Sequence, residues 1–101
     1  MDKEIHNIAI QCLNKWKRFA QEDMTLEEMS ELAKSILKLR RIHTKEEFED
    51  RCLELIGELV DVQFMLEQMK YIYLEVLGLD KEYDRLFDSK IDYIKGKLNE
   101  V

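Results

Sequence analysis

Proline is absent, and glycine occurs only as Gly57, Gly78 and Gly96. So few breakers point away from a turn-rich sheet and toward long helices. Cysteine is limited to Cys12 and Cys52, with no CxxC pair, which reads as two reduced core thiols rather than a disulfide framework. The two histidines, His6 and His43, do not stand three residues after a glutamate, so the Glu-x-x-His pairs of a di-iron bundle are excluded. An excess of positive charge is also missing: 16 basic residues face 22 acidic ones, a net charge of −6. Nucleic-acid binding rests on surplus Lys and Arg, so no nucleic-acid partner is expected. No apolar run of membrane-spanning length and no signal-peptide core appears. The expectation is a cytoplasmic protein with no membrane partner.

What remains is a chain of 101 residues, 46% hydrophobic and 38% charged, the size of one small domain. Apolar residues at Ile5, Ile8, Ala9, Cys12, Leu13, Trp16, Phe19 and Ala20 give the spacing of an amphipathic helix over about 2–21. Thr25 with Glu28, and Thr44 with Glu47, have the form of capping boxes. They predict a second helix from Thr25 to about Arg41, with Leu26, Met29, Ala33, Ile36 and Leu37 inward, and a third from Thr44 to about Leu77. Gly78 supplies a left-handed stop. A fourth helix, over about 80–99, is expected to bury Tyr83, Phe87, Ile91, Ile94 and Leu98. The prediction is one all-α, four-helix domain over residues 1–101.

The third helix carries apolar side chains on nearly every side between Cys52 and Tyr73, and such a helix must be covered on several sides. Three other helices hardly suffice, so completion of the bundle by oligomerisation, as a homodimer or homotetramer, is expected. Its polar residues cluster instead of scattering. At about 100° per residue, Glu54, Gly57, Glu58, Asp61 and Gln68 share one arc, and Glu58 and Asp61 are neighbours at i, i+3. Glu28 and Glu31 form the same kind of pair on the second helix, where a solvated face, with Glu31 paired to Lys34, would suffice to explain Glu27, Glu28 and Glu31 taken alone. Glu58 and Asp61 have no such explanation, because no basic residue lies between Cys52 and Gln68, and unpaired carboxylates at core positions cost on the order of several kcal/mol. Two facing carboxylate pairs make a hard oxygen-donor site of the kind Mg²⁺ or Mn²⁺ prefers.

EExxE (Glu27, Glu28, Glu31), then 26 residues, then ExxD (Glu58, Asp61) resembles the MazG-like all-α nucleoside triphosphate pyrophosphohydrolases. "KWKRFAQEDMTLEEMSELAKSI" is similar to the first two helices of short members, and "ELVDVQFMLEQMKYI" to their third. The resemblance covers roughly residues 10–77. It implies Mg²⁺-dependent hydrolysis between the α- and β-phosphates, giving a monophosphate and pyrophosphate in housekeeping of the nucleotide pool. By the family pattern the metal ligands are Glu28, Glu31, Glu58 and Asp61. Glu27 and Glu54 are candidates to orient the attacking water. Lys34 and Lys38, one and two turns beyond Glu31, are candidates for the triphosphate tail. Lys90 and Lys95 resemble positions where the family keeps a basic residue for phosphate, with surface pairing as the alternative. Trp16 and Gln21 are candidates for the base, by stacking and hydrogen bonding, although Trp16 equally fits a core stripe. Met65 and Met69 read as core. The chain departs from the family at Gly57, where relatives often have a further acid, and at Lys17, where many short members have glycine. Two other functions stand beside this one: an inactive helical assembly protein that keeps the bundle, and a phosphoribosyl-ATP pyrophosphohydrolase-like enzyme.

Overall fold

A computed structural model describes residues 2–100, with side chains from Lys3 onward. It is all-α, with helices α1 (Asp2–Trp16), α2 (Arg18–Leu39), α3 (Lys45–Lys70) and α4 (Asp80–Leu98). A π-helical segment, Tyr71–Val76, follows α3 directly. Among the described residues no strand occurs and no helix is long and apolar enough to cross a membrane. The chain divides into two compact units, Met1–Met69 and Lys70–Val101.

In the first unit, the order in which residues share cavities gives the arrangement. Lys38 and Arg41, late in α2, line one with Glu47 and Arg51, early in α3. Gln21 and Met24, early in α2, line another with Phe64, Met65 and Gln68, late in α3, and Glu28, midway along α2, lines a third with Asp61, Phe64 and Met65. The two helices therefore run antiparallel. The Thr44 hydroxyl accepts a hydrogen bond from the Glu47 N–H (3.2 Å) and caps α3 as expected.

Thr25 differs from expectation. It lies inside α2, buried, and its Oγ1 donates to the Gln21 carbonyl at 2.8 Å. A threonine can bond back to residue i−4 as readily as it can cap, so no capping box forms there. The break between the first two helices falls at Lys17, with φ 74° and ψ 161°, a backbone region that costs a residue with a Cβ about 1–3 kcal/mol. The corner is nonetheless fully bonded: the Lys17 N–H donates to the Leu13 carbonyl (2.9 Å), and the Lys17 carbonyl accepts from the Gln21 N–H (3.1 Å). Lys17 Nζ also caps the Asn14 carbonyl at 2.8 Å. Replacing Lys17 by glycine should relieve the strain, partly offset by the greater freedom of glycine in the unfolded chain. A net gain of about 1 kcal/mol, or a melting temperature about 4–8 °C higher, is expected. A lower melting temperature would mean that the lysine contacts outweigh the strain.

The buried set of this unit is mixed. Ala9, Leu13, Val62 and Met65 are joined by Gln21, Thr25, Ser35 and Gln68. The apolar stripe expected to face inward on α2 faces outward instead: Leu26 is 66% exposed, Leu37 50% and Met29 49%. What α2 buries is a polar seam of Gln21, Thr25 and Ser35 on another face, successively four and ten residues apart. On α3, Leu53, Ile56 and Val60 form a second uncovered stripe, each more than half exposed.

In the second unit, α4 packs on the π-helical segment, and Lys70 Nζ sits 5.6 Å above the Tyr83 ring. Tyr83, Phe87, Ile91, Ile94 and Leu98 are all exposed, not buried as expected. A six-residue segment is too short to cover a helix of 19 residues. Gly78, at φ +72°, makes the predicted left-handed turn before α4.

Candidate metal centre

Helical periodicity sets the centre. Glu58 and Asp61 are one turn apart on α3, so both side chains project from the same face, and Glu28 meets them from α2. One carboxylate oxygen from each of Glu28, Glu58 and Asp61 lies within 4.8 Å of the others. Glu28 and Glu58 are half-buried and Asp61 is exposed, so the acids line a cleft rather than a core. The fully buried carboxylates that the apolar run suggested are not found, because the apolar flank of α3 is itself uncovered. The Glu28 carboxyl is held above the ordinary carboxylate value of 4.5, first by partial burial and then by the charges of Asp61, Glu58, Glu27 and Glu31.

Glu31 lines the same cleft, with Lys34, Ser35 and Lys38 of α2 and Glu54, Gly57, Glu58 and Asp61 of α3, around about 190 Å³. It is outside the group of three and stands 3.5 Å from Lys34 Nζ. Glu54 is held by Arg51 at 2.8 Å. Glu27 is exposed and reaches the centre through its charge on Glu28. Trp16 is half-exposed beneath Lys15 Nζ at 5.0 Å. It lines a separate cavity with the buried Gln21. Lys90 and Lys95 lie on α4 in the second unit, Lys90 Nζ 5.4 Å from the Tyr93 ring. Met65 is buried as expected, and both cysteines are free.

Sequence reasoning missed Arg41 and Arg51. With Lys38 they bring three cations, against Glu47, to a cavity of about 290 Å³ that shares Lys38 with the carboxylate cleft. The signal was present: Arg41 is three residues after Lys38, and Arg51 one turn before Glu54.

Three carboxylates on two helices are a donor set that fits Mg²⁺ or Mn²⁺, which favour oxygen ligands and keep several waters. Their mutual repulsion gives two testable consequences. The folded state holds the Glu28 proton more tightly than the unfolded chain. That contribution to stability is therefore complete below the unfolded value and lost as pH rises through the raised folded one. In EDTA, the melting temperature of the wild type minus that of Glu28→Gln should fall over that rise, and parallel curves would show a normal carboxyl. Millimolar Mg²⁺ should raise the wild-type melting temperature, because it binds only the folded site. Asp61→Asn should abolish most of that response while raising stability without metal. Equal melting curves in EDTA and Mg²⁺ would remove the metal site.

No family model matches the chain, and no curated protein and no solved structure matches it.

Proposed function

We propose that this chain is a Mg²⁺-dependent nucleoside triphosphate pyrophosphohydrolase of MazG-like type, and that it works as a homodimer or homotetramer. The observation that carries the reading is the convergence of Glu28, Glu58 and Asp61 from two helices. A cation bound there would neutralise phosphate charge and acidify a water that attacks the α-phosphorus. The chain's own residues supply the rest. Lys34 and Lys38 line the same cleft, and Arg41 and Arg51 the cavity beside it, a run of cations suited to a triphosphate tail and departing pyrophosphate. Glu54, fixed by Arg51 on the cleft wall, suits the orientation of the attacking water better than Glu27. Glu31 can join the ligands by releasing Lys34, since their pairing is exposed and costs little to break.

The uncovered apolar stripes of α2 and α3 support self-association, and they equally favour the assembly-protein reading. One experiment separates the two. Nucleoside and deoxynucleoside triphosphates, with phosphoribosyl-ATP, are incubated with and without Mg²⁺ and the products resolved by chromatography. Monophosphate and pyrophosphate, appearing only with Mg²⁺, support the hydrolase. Orthophosphate with diphosphate would overturn it, and no turnover of any substrate would leave the assembly protein.

A further inference from the structure

Gln68 is the most enclosed polar side chain among the described residues, with none of its surface exposed. Its Oε1 has no hydrogen-bond partner, while Nε2 reaches only the Met65 thioether, at 3.7 Å. Buried amide oxygens are ordinarily bonded, and each exception needs a reason. This one borders a cavity of about 360 Å³, within the usual range for a ligand pocket. The walls are chiefly apolar: Trp16 from α1, Met24 from α2, and Phe64 and Met65 from α3. Gln21, also buried, adds a second amide, and its side chain makes no hydrogen bond among the described residues. A chiefly apolar cavity with the free Gln68 carbonyl oxygen, the Gln21 amide and one half-exposed indole matches the chemistry of a planar heterocycle with polar edges.

The cavity's position fits as well. Phe64 and Met65 also wall the cavity that contains Glu28 and Asp61. A molecule with its ring against Trp16 therefore has its charged end directed to the carboxylates.

We propose that this cavity takes the nucleobase, and that the Gln68 side-chain carbonyl is its specificity determinant, accepting a hydrogen bond from an N–H on the edge of the base. The inference deepens the hydrolase reading, since the base is that of the nucleotide whose phosphates the cleft is proposed to hold. Met65, unbranched and pliable, is the gate: its rotation frees Nε2 and opens the way to Oε1. An acceptor kept unpaired in a core weakens the fold, and a ligand donor satisfies it. Such a site rejects a ring that lacks the donor, because the amide is then left buried and unpaired.

The test uses binding alone, so it is independent of turnover. Trp16 is the only tryptophan, and its fluorescence reports the cavity. Nucleoside monophosphates are titrated in EDTA, each beside its N-methylated counterpart lacking the edge N–H: N3-methyluridine, N1-methylguanosine blocked also at the amino group, N6,N6-dimethyladenosine and N4,N4-dimethylcytidine monophosphates. The wild type should bind its preferred base at least about tenfold more tightly than the methylated form. In Gln68→Met, or in Gln68→Leu if that folds better, the methylation penalty should shrink to about twofold, the coupling seen as a double-mutant cycle. The variant's melting temperature should also rise, since the orphaned oxygen is gone. The same penalty in both proteins would overturn the proposal, because the discrimination would then be steric. So would the absence of any Trp16 response to all four monophosphates. A Trp16 response in a protein that hydrolyses nothing would keep the pocket and discard the hydrolase.

Discussion

Glu58→Gln is expected to lose nucleoside triphosphate turnover by orders of magnitude while keeping its helices and melting no lower than the wild type in EDTA, since one of three mutually repelling charges is gone. The substitution keeps the shape of the side chain and removes one charge. Glu58, like Asp61, belongs to the carboxylate group of three and also lines the cleft with both lysines. A hard divalent cation binds through ligand charge, so an amide in place of a carboxylate lowers occupancy and weakens polarisation of the phosphate together. Lys34→Ala provides the contrast. Its ammonium lies at the cleft wall with 61% of its side chain exposed, so its loss should raise KM more than it lowers kcat. The two candidate water-orienting acids separate in the same assay: Glu54→Gln should lower kcat, whereas Glu27→Gln should leave it nearly unchanged. Wild-type turnover by Glu58→Gln would end the proposed mechanism.

Leu53→Glu is expected to convert an oligomer into a monomer and to lower its thermal stability sharply. Leu53 is 69% exposed and begins the uncovered α3 stripe that continues through Ile56 and Val60. Magnitudes make the result decisive. On a free surface such a change lies within about 0.5 kcal/mol, and nothing would follow. At a subunit contact it buries a carboxylate without a partner, a penalty of several kcal/mol, on the order seen for broken buried pairs. Light scattering at micromolar concentration reads the difference. A wild-type monomer mass, or a Leu53→Glu protein of unchanged mass and melting temperature, would refute self-association through this face.

The sequence was a good guide wherever one helix fixed the answer alone. Glu58 and Asp61 share a face because three residues make almost a turn, Thr44 caps because a helix starts beside it, and Gly78 takes a positive φ that few residues accept. It was a poor guide to which face is covered. The α2 stripe from Leu26 to Leu37 is amphipathic by any count, but periodicity identifies an apolar face without saying what lies against it. The chain's own helices cover the seam of Gln21, Thr25 and Ser35 instead. The corner at Lys17 carries no glycine or proline of its own, and only the glycine that many short members of the resembled family have there hinted at its positive φ. The partner of Glu28 across the cleft was legible from the paired motifs. The pairing of Glu31 with Lys34 was legible only as an alternative, because i, i+3 spacing allows both outcomes. Nothing in the sequence distinguishes the buried Gln68 from the exposed Gln63 one and a half turns earlier.

The scarcity of buried apolar side chains has a consequence for how the protein behaves on dilution. Ala9, Leu13, Val62, Met65 and Ile72 are the buried hydrophobic residues among those described, a small return for ordering so many helical residues. If copies of the chain supply the missing cover, folding and association become one equilibrium, and the transition midpoint moves with protein concentration. Abundance in the cell would then set not only how many copies are present but what fraction of them is folded. A loss of expression that halves the chain would reduce the working protein by more than half.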